Sequence, residues 1–253
     1  LRSQFGDRVT VAVVDYGDAG GLSRWLVDCD YAVHLVGIIK ESSTSSFAMA
    51  HEAPATALVA AADEAGIRGI VHLSILGSGA NSGNACLRSR GLAEDILRAA
   101  STPVRIIQVP MVLGEGDYAA RALTGQARRR FAFTFRKESL EQPIYAGDVI
   151  AALRGSIRSG FEAGTLQWAG PESLTRELLI HRAGALLGTR PHVVSLPLTA
   201  GLVLAAVLER QRNPPLTRAM LGVLDHDDRI DVAASSRQLG LSLTPLDDML
   251  RRV

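Results

Sequence analysis

The chain has 253 residues, 47% of them hydrophobic and 21% charged, with a formal net charge of +1 at pH 7. That length buries one substantial core, or a core with a small appended lobe. A near-neutral chain projects no long-range field, so composition calls for no nucleic-acid partner and for no anionic membrane surface. Two cysteines without paired spacing, Cys29 and Cys86, argue against a disulfide framework and point to a reducing compartment, the cytoplasm or a mitochondrial matrix. The opening residues, 1–8, lack the basic-then-apolar pattern of a secretory signal.

Short β-branched runs alternate with longer Ala/Leu-rich stretches, the pattern of a parallel sheet with crossover helices. Strands are expected at 9–14, 31–36, 70–74, 105–109 and 165–168, with helices around 21–27, 47–65, 85–100 and 116–129. Gly66 follows the second helix as a natural C-cap. From about Leu174 the strand signals fade, and Thr175 opens a helix with Glu177 and Leu178 behind it. Pro191, Pro197, Pro214, Pro215 and Pro245 then cut the chain into short pieces, with helices near 198–210 and 216–224. The longest apolar stretch, 193–208, contains Pro197 and falls short of the roughly 20 residues of a spanning helix. It reads as a helix packed on its own domain, because one lying on a membrane should carry a basic polar face.

Several positions suggest chemistry. Asp15 closes an apolar strand and precedes Tyr16-Gly17-Asp18, so it belongs to the carboxyl edge of the sheet where ligands bind, or caps the next helix. Val36 and Gly37 end a central strand, where a glycine lets a cofactor approach the main chain or simply makes a turn. Ser74 ends the strand after that. The stretch 77–83 is glycine-rich but wrongly spaced for a phosphate cradle, and reads as a flexible loop over the edge. Arg128-Arg129-Arg130 with Arg136, Lys137 and interleaved Phe131, Phe133 and Phe135 could address nucleic acid or an acidic lipid headgroup, but reads first as a solvated loop. The six histidines show no pair at metal-ligand spacing, so no metal is expected.

The ordered blocks VAVVD at 11–15, CDYAVHLVG at 29–37, GIRGIVHLS at 66–74, VRIIQVPMVLG at 104–114 and QPIYAGDV at 142–149 resemble the extended or atypical short-chain dehydrogenase/reductases. The wording HLVGII at 34–39, His51-Glu52, and the tail from Leu196-Pro197-Leu198 to Pro214-Pro215-Leu216-Thr217 are most similar to one group of them. It holds the Rossmann-fold accessory subunit of respiratory complex I and its bacterial relatives. The resemblance covers nearly the whole chain.

That resemblance implies an α/β fold, a Rossmann-like doubly wound parallel sheet lacking its first βαβ unit, with a small, mainly helical C-terminal lobe. Residues 1–170 would form the partial dinucleotide-binding domain, with 115–147 contributing to the substrate lobe, and 171–253 the helical lobe. It implies NAD or NADP as ligand, with Asp15 and Tyr16 flanking adenine. Val36, Gly37, Ser74, Arg90 and the proline-led loop at Pro110 would form the rest of the cofactor site. In such proteins YxxxK sets a tyrosine and a lysine one helical turn apart, so that the ammonium lowers the phenol's pKa and holds the ribose. Here the matching stretch is CLRSR at 86–90. Arg90 can still hold ribose hydroxyls. Cys86 is too short to replace the tyrosine, so no residue is assigned as catalytic.

The superfamily's GxxGxxG, where helix N–H groups meet the pyrophosphate, is missing from the sequence. An N-terminally truncated chain is therefore expected, with weak or no dinucleotide binding of its own. Strand 9–14 is expected to slide in and pair with 31–36; otherwise a gap two strands wide separates them. Three functions compete: a dinucleotide-binding, dehydrogenase-like protein that holds its cofactor structurally in the full-length form; a non-enzymatic accessory module of a membrane-associated respiratory or quinone-linked complex; and an active reductase or epimerase with a relocated proton donor.

Overall fold

The structure is a computed structural model describing residues 8–158, 160–211, 214–223 and 225–253. Residues 1–7, most of the stretch read for a signal, and residue 224, at the end of the expected 216–224 helix, lie outside the described residues. The first half runs α1 (Ala19–Leu26), β1 (Tyr31–His34), α2 (Phe47–Ala50), α3 (Glu52–Ala65), β2 (Gly69–Ile75), α4 (Ala85–Arg98), β3 (Val104–Val109) and β4 (Val112–Leu113). It continues with α5 (Tyr118–Ala127), β5 (Phe131–Phe135), β6 (Leu140–Glu141), β7 (Ile144–Tyr145), α6 (Ala146–Arg158), β8 (Gly164–Gln167) and β9 (Leu174–Thr175). The tail holds α7 (Arg176–Leu186), β10 (His192–Leu196), α8 (Leu198–Leu208), α9 (Arg218–Val223), α10 (Ala233–Leu239) and α11 (Leu246–Arg252).

Among the described residues the main sheet is parallel, in the order β1-β2-β3-β8. Its two central strands, β2 and β3, are buried on both faces because helices cover both. On one side Ala32, Ile70, Val104 and Ile106 pack with Ala55, Leu58 and Ala62 of α3 and Ala93 and Leu97 of α4. On the other, Val71, Ile107, Val109 and Leu166 meet Val149, Ala152 and Leu153 of α6. A third core joins Leu123 and Ala127 of α5 to Ala132, Leu179, Ile180, Val193, Met249 and Leu250. Gln142 links the sheet domain to the tail: its Nε2 donates to the Gly170 and Ile230 carbonyls at 2.8 and 3.0 Å. Its Oε1 accepts from the Ile230 N–H at 2.7 Å.

The structure departs from expectation in four places. Residues 9–14 form no strand: Val11 and Val13 are exposed, and the stretch does not pair with 31–36. The outer edge of β1 has no strand partner among the described residues, so a β-rich run without a ladder leaves its backbone to water. The expected 47–65 helix breaks at His51, whose φ is −117°. Pro54 offers no N–H to the Ala50 carbonyl and would clash with it, which ends α2 and restarts α3.

Third, the Phe-rich stretch is not a loop. Phe131–Phe135 pairs in parallel with His192–Leu196, because both runs alternate in period two and bury Ala132 and Val193. The tail therefore contains a strand, although α7 to α11 keep it mainly helical. Fourth, α8 is only partly packed: Gly201 and Ala205 are buried, whereas Val203, Leu204 and Val207 are 67%, 51% and 52% exposed.

Candidate functional site

Side chains of one parity on β1, β2 and β3 face α4, and that parity carries polar groups into an apolar layer. The register sets His34 opposite His72 and Ser74 opposite Gln108, in line with Ala32, Ile70 and Ile106. Buried polar groups are costly unless bonded, so each pair needs partners. For Ser74 and Gln108 the partner is Glu94 of α4. It accepts from Ser74 Oγ at 2.5 Å, from Gln108 Nε2 at 3.0 Å on each oxygen, and from the Arg98 guanidinium at 2.6 Å. This network is closed.

The histidine pair is open. The rings of His34 and His72 stack with centroids 4.9 Å apart. His72 Nδ1 lies 3.3 Å from the His34 carbonyl oxygen, while Nε2 of both rings has no partner. Burial, aided by the charge of Arg90, pulls His34 down to about 4. Burial, then His34 and Arg90, pull His72 down to about 3. Both rings are neutral at pH 7.

His51 ties down the loop that follows β1. With the Ile38 N–H donating to its Nε2 at 3.1 Å, the ring proton sits on Nδ1, 3.3 Å from Ser89 Oγ, which in turn donates to Glu52 Oε1 at 2.7 Å. The same Nε2 lies 3.0 Å from the Ile38 carbonyl oxygen, so either tautomer holds the loop. Burial and Arg90 lower His51 to about 4.

At the centre stands Arg90 of α4. A Cβ added at Gly37 would lie 2.4 Å from its terminal nitrogen, so the bare glycine lets the β1 loop rest on the guanidinium where it stands. Its Nε has no hydrogen-bond partner, and it makes no ion pair among the described residues. Burial weakens its hold on the proton, with Cys86 and Glu94 opposing; an arginine stays charged regardless. Cys86, one turn earlier, is fully buried, with its thiol directed at the Ile38 carbonyl at 3.6 Å. Burial pushes that thiol up against the pull of Arg90.

A cleft of about 1260 Å³ lies beside this cluster, between the carboxyl edge of the sheet and the tail. Leu76, Gly77, Asn84 and Ala85 line one wall, and Thr217, Arg218 and His226 the other. The glycine-rich stretch 77–83 forms part of the first wall. A Cβ on Gly91 would come within 2.2 Å of the Gly79 backbone, so a glycine in α4 is what lets this loop lie on the helix. Asn84 caps α4 by accepting from the Cys86 and Leu87 N–H groups at 2.9 and 3.1 Å, and it donates to the Ala219 carbonyl across the cleft at 2.8 Å. His226 Nε2 sits 2.9 Å from the buried Asp228 carboxylate, which raises the His226 pKa.

The structure thus brings Val36-Gly37 and Arg90 together. Ser74 is 1% exposed and spends its hydroxyl on Glu94, and Pro110 is buried at the end of β3. Asp15 and Tyr16 lie in an exposed turn, where Asp15 Oδ1 accepts from the Gly17 N–H at 2.9 Å, the geometry of a turn aspartate. His72, Glu94 and His226 escaped the sequence reading as site residues, and His34 and His51 entered it only as part of the resemblance. Two of the histidines carried a signal: His34 and His72 hold inward parity positions of apolar strands. Among the described residues no group of His, Cys, Asp or Glu is placed to hold a metal ion.

No protein-family model matches the chain. A ceramide reductase of Caulobacter vibrioides is 26% identical over 207 residues, covering 78% of this chain and 64% of the relative, so the chain spans under two thirds of that protein's length. Among solved structures, a UDP-N-acetylglucosamine 4-epimerase from Bacillus cereus aligns with a TM-score of 0.71 at 16% identity, covering 100% of this chain and 86% of that one. A nucleoside-diphosphate-sugar epimerase from Staphylococcus aureus reaches 0.75 at 14% identity, covering 99% and 86%. A dTDP-glucose 4,6-dehydratase from Streptomyces venezuelae, solved with NAD bound, reaches 0.72 at 17% identity, covering 98% and 80%. At these identities the likeness is one of fold: the chain has the Rossmann-like, parallel-sheet α/β architecture of these epimerases and this dehydratase.

Proposed function

We propose that this chain is the body of a nicotinamide-dinucleotide-binding, reductase-type protein in which Arg90 takes over the ribose-holding role of the usual lysine. The observation that carries the reading is the guanidinium seated on Gly37, charged and lacking a carboxylate partner among the described residues, at the carboxyl edge where this fold places its cofactor. The residues present fit the nicotinamide-ribose half of the ligand. Arg90 offers donors to ribose hydroxyls, Val36, Gly37 and Pro110 form the wall, and Asp15 and Tyr16 stand on the adenine side. The pyrophosphate half has no match, since no GxxGxxG occurs in the sequence. NAD and NADP both remain within this reading, and binding by this chain alone is weak.

When bound, the dinucleotide supplies or accepts a hydride. A proton donor is harder to find: Cys86 is buried, short and held as a thiol, so turnover is slow or absent and the cofactor acts mainly as a structural ligand. His226, paired with Asp228, is the cleft-lining group equipped to deliver a proton if turnover is measured. The named activity of the Caulobacter relative points to a long-chain amide lipid as the substrate class, and a cleft of about 1260 Å³ accommodates one.

Calorimetric titration with NADH and NADPH tests the reading. The expected result is binding weaker than low micromolar that Arg90→Met abolishes. A low-micromolar dissociation constant would overturn the weak-binding claim, and binding indifferent to Arg90→Met would overturn the site. A second reading, the non-enzymatic accessory module of a respiratory complex, is favoured by the buried thiol in the tyrosine's place. Lipid-carbonyl turnover would exclude it.

A further inference from the structure

We infer that α8 and the outer face of β5 form a docking surface for an anionic bilayer. α8 is apolar along its whole length, LTAGLVLAAVL, yet buries only Gly201 and Ala205, one turn apart on one side. Val203, Leu204 and Val207 face solvent. The helix rests on Phe135, whose ring a Cβ on Gly201 would meet at 2.5 Å. Phe131 and Phe133 project from the same face of β5, since strand side chains share a face at every second residue. Each is 48% exposed. Phe131, Phe133 and Phe135 thus share the face of β5 on which α8 sits, and α8 turns Val203, Leu204 and Val207 outward above it. An exposed apolar patch of this kind marks an interaction surface rather than chance exposure.

Charge complementarity selects the occupant. Arg128, Arg129 and Arg130 lie exposed at the start of β5, with Arg130 stacked over Phe131 at 5.6 Å, and none of the three makes an ion pair among the described residues. The chain as a whole is near neutral, so these cations are concentrated at one end of the apolar surface. A membrane-surface helix usually carries its own basic residues; here the turn before β5 supplies them. α8 has 11 residues, about 16 Å of helix, half a hydrocarbon core, and among the described residues no helix is long and apolar enough to cross a membrane. The helix would lie in the interface. Its last turn leads to Glu209, which lines the cleft, so docking brings the cleft mouth to the lipid surface.

Flotation with vesicles tests this without reference to any activity. The protein is expected to float with vesicles of 30% phosphatidylglycerol in phosphatidylcholine and to stay behind with pure phosphatidylcholine. Each basic residue beside an anionic surface strengthens binding about fivefold, so replacing Arg128, Arg129 and Arg130 together by Gln should weaken it about a hundredfold. V203D/V207D, on the solvent side of α8, should abolish it while the melting temperature holds. Failure of the protein to float, or flotation unchanged in both variants, overturns the inference. So does a concentration-dependent dimer that V203D/V207D disperses, because the surface would then belong to a second copy. These readouts are independent of dinucleotide titration, so the two proposals fail separately.

Discussion

Two arginines, Arg176 buried and Arg90 half-buried, behave in opposite ways, and the contrast separates scaffold from site. Arg176, the first residue of α7, is 8% exposed and places its Nε 2.7 Å from Glu141 Oε1, with a second guanidinium nitrogen on the same carboxylate and a third on the Phe135 carbonyl. Burial pushes Glu141 up while Arg176 pulls it back. The pair joins β5, β6 and α7. Arg90, in the sheet domain, is surrounded by a thiol and neutral histidines and has an idle Nε. A buried charge with complete partners holds a fold together; one with incomplete partners costs stability and is the form a ligand site takes.

The same substitution at both positions gives the largest expected effect. Arg176→Met strands a buried carboxylate and should cost about 3 to 5 kcal/mol in urea unfolding. Arg90→Met removes an uncompensated charge and should cost less than about 1 kcal/mol or raise stability, while eliminating dinucleotide binding. If the two cost the same, Arg90 is scaffold and the ribose assignment falls.

Acid comes next and strikes the sheet domain. His34, His51 and His72 have folded pKa values of about 4, 4 and 3, below the ordinary 6.5. The unfolded chain therefore takes up protons that the folded one refuses. Their contribution to stability is intact above pH 6.5 and is lost as pH falls towards 4, by about 1.4 kcal/mol per unit for each histidine. Arg90 opposes their protonation, and Glu52, Glu94 and Glu41 are the acidic groups nearby. His72→Gln should flatten the drop between pH 6.5 and pH 5 by about 2 kcal/mol. A wild-type profile level across that range would mean that the rings are solvated. His226 has the opposite sign: its Asp228 partner raises its pKa, so what it contributes is present below pH 6.5 and fades as pH rises.

The sheet domain was readable from sequence because parity and caps are local. Strands at 31–36, 70–74 and 105–109, the Gly66 cap and the Thr175 N-cap all follow from nearest neighbours, and each appears, with Gly66 at φ +66° and Thr175 Oγ1 accepting from Leu178 N–H at 3.2 Å. The strand at 9–14 failed because β propensity without a partner strand gives no ladder. β5 and β10 failed because their pairing joins residues some sixty apart, and a phenylalanine-arginine run looks like a loop until His192–Leu196 lies beside it. At the site, the spacing of the motifs singled out Gly37 and Arg90, which the structure sets in contact, but it did not single out the histidine stack. It depends on β1–β2 register, which no short motif encodes.

The smallest expected effect concerns the thiols, and it probes Arg90 from the other side. Cys29 is exposed, and its Sγ reaches only the Trp25 carbonyl at 3.2 Å. Cys86 is buried against Ile38, and burial raises its pKa more than Arg90 lowers it. Nucleophilic attack requires both a thiolate and access, and Cys86 lacks both. A disulfide reagent should therefore titrate one thiol at once and the second only as α4 opens, at least about a hundredfold more slowly. Arg90→Met should not speed the second phase, because it removes the one cation favouring the thiolate. Cys86→Ala should leave most of any reductase activity in place. Two thiols reacting at comparable rates, or a loss of about a thousandfold on Cys86→Ala, the scale of a removed general acid, would make Cys86 a working residue and Arg90 its activator.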